Sequence, residues 1–184
     1  MKKILYIILI LFLTNQTIFA GQEEAMPYIK MGDSNLAKYE KKMYSIKDFY
    51  LNEAEFMYKR AIDCFPQSFE AYLGLGRVYT HKNLTKYAEN NFMIAYNIKP
   101  DNPRINLYIG DLYFKEKQFI TALRYYQDAL KCGYSNDYQT NYQLALCYDK
   151  LGDSKKAKQY YQKALKINPK SSDVKVKLEE LKNN

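Results

Sequence analysis

A period of about 34 residues constrains the fold of this 184-residue chain more than any other feature. An alanine, an aromatic residue and a second alanine recur at this interval, separated by four and then three positions. These spacings place the three residues on one face of a helix, where alanine lets a second helix approach and the ring fills the remaining space. The pattern therefore predicts repeated helix pairs, with the sets Ala54, Tyr58, Ala61; Ala88, Phe92, Ala95; Ala122, Tyr126, Ala129; and Ala157, Tyr161, Ala164.

The few residues that break helices agree with this interpretation. The chain has only 7 Gly and 5 Pro, which is few for an all-β protein with many tight turns. Pro66, Pro100 and Pro169 follow three of the four sets and would end the second helix of each pair. The third unit is one residue longer and has Tyr134 at the proline position, so we expect its exit loop to differ.

The clearest unit covers residues 69–102. It resembles the tetratricopeptide repeat through Tyr72, Leu75, Gly76, Tyr79, Ala88, Phe92, Ala95 and Pro100. Residues 103–137 and 138–171 carry the same pattern. Residues 35–68 match only in their second half, because Lys41, Lys42 and Ser45 stand where the family has Leu, Gly and an aromatic residue. The resemblance implies an all-α, right-handed α-solenoid of about four helix-turn-helix units over residues 35–171, with 35–68 as a degenerate first unit.

The two ends of the chain lie outside the repeats. Residues 1–20 combine two lysines, an apolar run over residues 4–13 and a more polar stretch ending in Ala20, which is the order of a secretory signal. We predict cleavage after Ala20 and an exported, periplasmic or secreted protein that contacts the membrane transiently through the signal; an uncleaved anchor is the alternative. We expect residues 21–34 to be a flexible lead-in. Residues 172–184, with Val174, Leu178 and Leu181 on one stripe, are expected to form a capping helix.

The chain offers few residues for catalysis or metal binding. His81 is the only histidine, which excludes a His-based metal cluster. Cys64, Cys132 and Cys147 occupy repeat positions that are aliphatic in other units, so we interpret them as small core residues; a pair between Cys132 and Cys147 stays open. The sequence has no phosphate-binding glycine loop and no nucleophile motif. We therefore expect no enzymatic activity, no cofactor and no metal.

The resemblance also implies where a partner would bind, because the first helices of such repeats line a concave groove. The implied groove residues are Leu73, Arg77, His81, Leu107, Asp111, Phe114, Tyr142, Leu146 and Asp149. They form an apolar spine flanked by both charge signs. Leu73 and Arg77 stand where chaperone-binding members need Lys and Asn, so recognition of a chaperone carboxyl terminus is not expected.

These observations predict a non-enzymatic protein–protein interaction scaffold or adaptor that binds a peptide or protein in its groove. The alternative is an envelope-surface protein that binds an anionic polymer or lipid, since the net charge is +8 and Lys155, Lys156, Lys158 and Lys163 cluster near the end. Export argues against nucleic acid, so we expect no nucleic-acid partner.

Overall fold

A computed structural model describes residues 2–41 and 47–183 of the chain. All regular structure in these two ranges is helical, as predicted, and is consistent with an α-solenoid. The elements are α1 (Lys2–Lys41), α2 (Lys47–Cys64), α3 (Phe69–His81), α4 (Thr85–Ile98), α5 (Pro103–Lys115), α6 (Phe119–Ala129), a π turn (Leu130–Tyr134), α7 (Tyr138–Lys150), α8 (Ser154–Ile167) and α9 (Ser172–Asn183). They form two compact units, one ending at Ile98 and one starting at Lys99.

The repeated alanines and aromatic residues form the cores of both units. All eight alanines are fully buried, and the four rings are no more than 1% exposed. Glycine on the first helix of a pair makes room for these rings: a Cβ at Gly76 would collide with the ring of Phe92, and one at Gly110 would meet the ring of Tyr126 at about 2.5 Å. The predicted packing role of the repeated residues is confirmed.

The turn between the two helices of a pair has one conformation in three repeats. Asn83, Lys117 and Gly152 hold the same repeat position and adopt φ values of 57°, 60° and 80°. In each turn the backbone N–H of the third residue past the helix end bonds back to a tyrosine carbonyl, as in Gln118 to Tyr113 at 2.9 Å. This bond satisfies carbonyls that the ending helix leaves unpaired, and the left-handed residue reverses the chain.

The amino-terminal region differs from the expected flexible lead-in over residues 21–34. These residues belong to α1, and Ala25, Ile29 and Leu36 are at most 6% exposed against α2 and α3. Gly32 faces the ring of Tyr58 as Gly110 faces that of Tyr126. The first helix of this repeat therefore lies ten residues before the place that the 34-residue period assigns, because Gly32 and Tyr58 are ten positions further apart in the sequence than Gly110 and Tyr126.

The residues of the first unit that depart from the repeat pattern lie at the end of α1 and just after it. Lys42 and Ser45, two of the residues that departed from the pattern, lie outside the described residues. The structure describes the backbone of α1 from Lys2, but the side chains of residues 1–6 and 8–13 are outside its description. Residues 14–20 are exposed, and Ala25 is the first buried residue among the side chains that the structure describes. Among the described residues no helix is long and apolar enough to cross a membrane.

The exit of the third repeat is a π turn. Leu130–Tyr134 follow α6 without interruption, and Gly133 ends the turn with φ 125°. A π turn accommodates one extra residue within a helix. The additional residue of this repeat is absorbed there, which explains how its exit differs from a proline-terminated one.

Helix α9 packs on the last repeat. Val174 is fully buried in a cluster with Ala145, Tyr148 and Tyr161, and Leu178 and Leu181 contact the same cluster. Its other face carries lysines and acidic residues. The helix thus covers apolar surface that the last pair would otherwise expose.

Candidate functional site

The implied groove residues divide between the two units. In the first unit Leu73 is only 3% exposed and contributes to the core, whereas Arg77 and His81 are half-buried. Arg77 lies 3.2 Å from a carboxylate oxygen of Glu40 and 3.8 Å from one of Asp33. His81 approaches Glu40 at 3.6 Å. The charged groove residues of this unit are therefore already engaged by α1.

In the second unit α5 and α7 present the remaining predicted residues. We define the α5–α7 face by Leu107, Asp111 and Phe114 of α5 and Tyr142, Leu146 and Asp149 of α7. Leu107 is 9% exposed and packs in the core, so it offers little surface. The other five are half-buried.

Aromatic contacts position the half-buried rings of this face. The Phe114 ring packs edge-on against Phe119 at 5.3 Å. Tyr142 stacks on Tyr138 at 5.9 Å between ring centroids and lies 6.0 Å from the Tyr161 ring. These contacts restrict the rings before any partner arrives, which reduces the entropy that binding would cost.

Asp111 is the most unusual polar residue of the α5–α7 face. Its Oδ1 accepts a hydrogen bond from the Tyr126 hydroxyl at 2.7 Å and one from the Gln143 amide at 3.0 Å. Burial raises the pKa of Asp111 from 3.8 to about 6, although both hydrogen bonds act in the opposite direction. The site thus contains a carboxylate whose ionisation is disfavoured by its surroundings.

The bond between tyrosine and aspartate occurs twice. Tyr58 donates to Asp33 at 2.8 Å, just as Tyr126 donates to Asp111. In the last repeat Leu146 occupies the position equivalent to Asp111, and the buried Tyr161 hydroxyl has no hydrogen-bond partner. The sequence pattern predicts only a packing role for these tyrosines. For Tyr126, the aspartate 15 residues earlier was a signal of the hydrogen bond, whereas Tyr58 and Asp33 are 25 residues apart and show no such spacing.

The cysteines do not form a reactive centre. All three are free thiols, and burial raises the pKa of Cys147 to about 12, which keeps it protonated near neutral pH. Within the described part of the chain, no group of three or more His, Cys, Asp or Glu side chains could hold a metal ion.

Two family models match the repeats. A tetratricopeptide-repeat model covers residues 138–171, and a model of YpiA-like tetratricopeptide repeats covers residues 82–134. The chain is a tetratricopeptide-repeat protein.

Solved structures support the fold of this tetratricopeptide-repeat protein. PilF of Pseudomonas aeruginosa has a TM-score of 0.78 and 20% identity, over 88% of this chain and 68% of that one. YrrB, described as a tetratricopeptide-repeat protein with an unusual peptide-binding site, has a TM-score of 0.63 and 24% identity, over 87% and 77%. At these identities the similarity concerns the fold alone.

One curated relative is anaphase-promoting complex subunit CDC16 of Saccharomyces cerevisiae. It is 28% identical over 123 residues, which is 64% of this chain and 15% of the yeast protein. The chain therefore spans a small part of that relative's length.

Proposed function

We propose that this tetratricopeptide-repeat protein is a non-enzymatic scaffold that binds a peptide or protein segment on its α5–α7 face. The fold and its relatives suggest a protein–protein interaction scaffold in general. The observation that supports this particular face is the set of half-buried Phe114, Tyr142 and Leu146 beside the half-buried carboxylates of Asp111 and Asp149. Partly exposed aromatic residues with adjacent polar groups are typical of binding surfaces.

Three of the nine predicted groove residues are not readily available to a partner. Leu73 and Leu107 are core residues, so replacing either by a charged residue would destabilise the repeat rather than test binding. In the first unit Arg77 is paired with α1 carboxylates. The proposal therefore places the main contact on the second unit.

The test is capture of proteins from the producing organism by the immobilised full-length chain in mild detergent. Tyr142→Ala removes a half-buried ring from the face, and Tyr87→Ala removes a ring that is 61% exposed on α4. We expect a specific protein to be lost with Tyr142→Ala and retained with Tyr87→Ala, with both variants melting cooperatively. Equal capture by both variants would show that the α5–α7 face is not the binding surface.

We also propose that residues 1–20 direct export and are removed after Ala20. The exposure of residues 14–20 and the start of the core at Ala25 support this, since cleavage would remove no described core residue. Amino-terminal sequencing of the protein recovered outside the cytoplasm should begin at Gly21. Recovery in the cytoplasmic fraction with Met1 intact would refute the proposal.

A second candidate is binding of an anionic polymer or lipid by the basic end of the chain. It is favoured by a recess of about 510 Å³ lined by Ser135, Asn136, Asn141, Lys163, Lys166 and Ile167. Flotation with phosphatidylglycerol vesicles should then decrease steeply between about 0.05 and 0.5 M salt and be lost when Lys163 and Lys166 are both replaced by Gln. Binding that is insensitive to salt would exclude it.

A further inference from the structure

We infer that the partner segment carries a lysine or arginine side chain, and that Asp111 on the α5–α7 face is the counter-ion for it. This inference rests on the proposed function, because it names the chemistry of the ligand for the same face. According to this inference, the face recognises a cationic side chain of the partner and not an acidic terminus.

The geometry of Asp111 leaves an oxygen available. Both hydrogen bonds from Tyr126 and Gln143 reach Oδ1. The carboxylate's other oxygen, Oδ2, can accept a bond from an incoming group because the side chain is only half-buried. Both donors that hold the carboxylate are uncharged, so they fix its position without neutralising it.

Two further polar atoms next to this carboxylate and this face lack partners. The Gln143 amide that donates to Asp111 has its buried Oε1 without a hydrogen bond. The hydroxyl of Tyr161, a residue with no exposed surface, is also without one, and the Tyr161 ring lies 6.0 Å from the ring of Tyr142. Buried polar atoms in folded proteins nearly always have partners. A guanidinium or ammonium group carries several donors and could serve both carboxylate Oδ2 and amide Oε1 after a small side-chain rotation.

The charges around the face also favour a cation. Burial and the nearby carboxylates of Asp149 and Glu180 raise the pKa of the Tyr161 hydroxyl. Burial and the Asp173 carboxylate likewise raise the pKa of the Tyr142 hydroxyl. Lys177 is the cation that faces these groups from α9, and it is paired with Glu180 at 2.7 Å. Lys115 and Lys150 lie at the last turns of α5 and α7, where they are exposed at the edge.

The first unit provides an internal contrast. Its residue equivalent to Asp111 is Arg77, which pairs with carboxylates of α1. There the chain itself supplies a cation to Asp33, as we infer a partner does for Asp111. The net charge of +8 on the chain repels basic peptides in general. Binding of a basic peptide would therefore indicate a site with local negative charge.

The test is an array of random nonapeptides probed with the full-length chain and with Asp111→Asn and Asp101→Asn. Asparagine keeps the shape of Asp111 and can still accept from Tyr126, so the fold should persist. Asp101→Asn removes the same charge from an exposed turn. We expect bound peptides to be enriched in Lys and Arg, and their affinity to fall at least fivefold with Asp111→Asn and less than twofold with Asp101→Asn.

Three outcomes separate the claims. If no peptide binds any of the three chains, the proposed peptide-binding function fails and this inference fails with it. If peptides bind without enrichment in Lys or Arg, or bind equally well to Asp111→Asn, the face binds peptides but the assigned counter-ion is wrong. A Lys→Gln change in the peptide should weaken binding to the wild type but not to Asp111→Asn. This result would support a direct contact between the lysine and Asp111.

Discussion

Replacing Asp111 by asparagine is expected to stabilise the protein at neutral pH. The carboxylate lies half-buried between Tyr126 and Gln143, whose hydrogen bonds an asparagine oxygen can also accept. What the substitution removes is the free-energy cost of keeping a negative charge in this environment. A residue that weakens the fold in this way is more readily explained by binding than by folding.

The magnitude follows from the pKa. Burial raises the pKa of Asp111 from 3.8 to about 6, and a pKa difference of one between the folded and unfolded chain corresponds to about 1.4 kcal/mol. The raised pKa implies a cost of at most about 3 kcal/mol, and we expect about 1 to 3 kcal/mol because solvent reaches part of the side chain. Below pH 3.8 the carboxyl is protonated in both the folded and the unfolded chain, so the cost is absent. It develops as the pH rises from 3.8 to about 6 and is complete above that value.

The assay is urea unfolding of the wild type, Asp111→Asn and Asp101→Asn between about pH 4 and pH 8. The variant should gain about 1 to 3 kcal/mol at pH 7.5 and almost nothing at pH 4, while Asp101→Asn follows the wild type. Burial holds the pKa of the neighbouring Tyr126 hydroxyl well above its usual range and that of the Cys147 thiol at about 12, so neither titrates in this interval. A variant that is less stable than the wild type at pH 7.5, or whose gain is the same at every pH, would be incompatible with a costly buried charge at Asp111.

Three other experiments test the fold, two of them with a control substitution. Lys117 adopts φ 60°, so Lys117→Gly should raise the free energy of unfolding by about 0.5 to 1 kcal/mol. Lys115→Gly, at the last residue of α5, where φ is not positive, should instead lower it by less than about 1 kcal/mol in the same urea experiment. Leu36→Ala should cost about 2 to 4 kcal/mol if α1 belongs to the core, and Met31→Ala, at a residue 48% exposed, less than 1 kcal/mol; equal small effects would contradict the packing of α1. Tyr161→Phe should leave thermal stability unchanged or slightly higher, because its buried hydroxyl lacks a partner; a loss above about 1 kcal/mol would show that a bond exists.

The second helices of the repeats could be predicted because their packing requires particular residue sizes at fixed positions. Alanines such as Ala88 and Ala95 and the ring between them are fully or almost fully buried, and their recurrence about every 34 residues is typical of repeated helix pairs. The first helix of the first repeat could not be placed, because ten additional residues between Gly32 and Tyr58 shift Gly32 out of the period. The role of Gly32 is apparent only from its tertiary contact with the Tyr58 ring.

The candidate site was predicted less completely. The resemblance selected Asp111, Tyr142 and Asp149, which are half-buried on one face, but also Leu73 and Leu107, which pack inside. Repeat position alone does not distinguish these cases, because the exposure of a first-helix residue depends on the side chains of the neighbouring helices. The hydrogen bond that orients Asp111 likewise requires the tertiary contact with α6.

Site-specific photo-crosslinking in the producing organism can decide whether the α5–α7 face holds another protein. A benzophenone amino acid is placed at Tyr142 on the face, or at the exposed Tyr87 on α4 as the control. We expect a discrete crosslinked protein from Tyr142 and none from Tyr87. Crosslinks from Tyr87 with none from Tyr142 would show that the partner is held elsewhere.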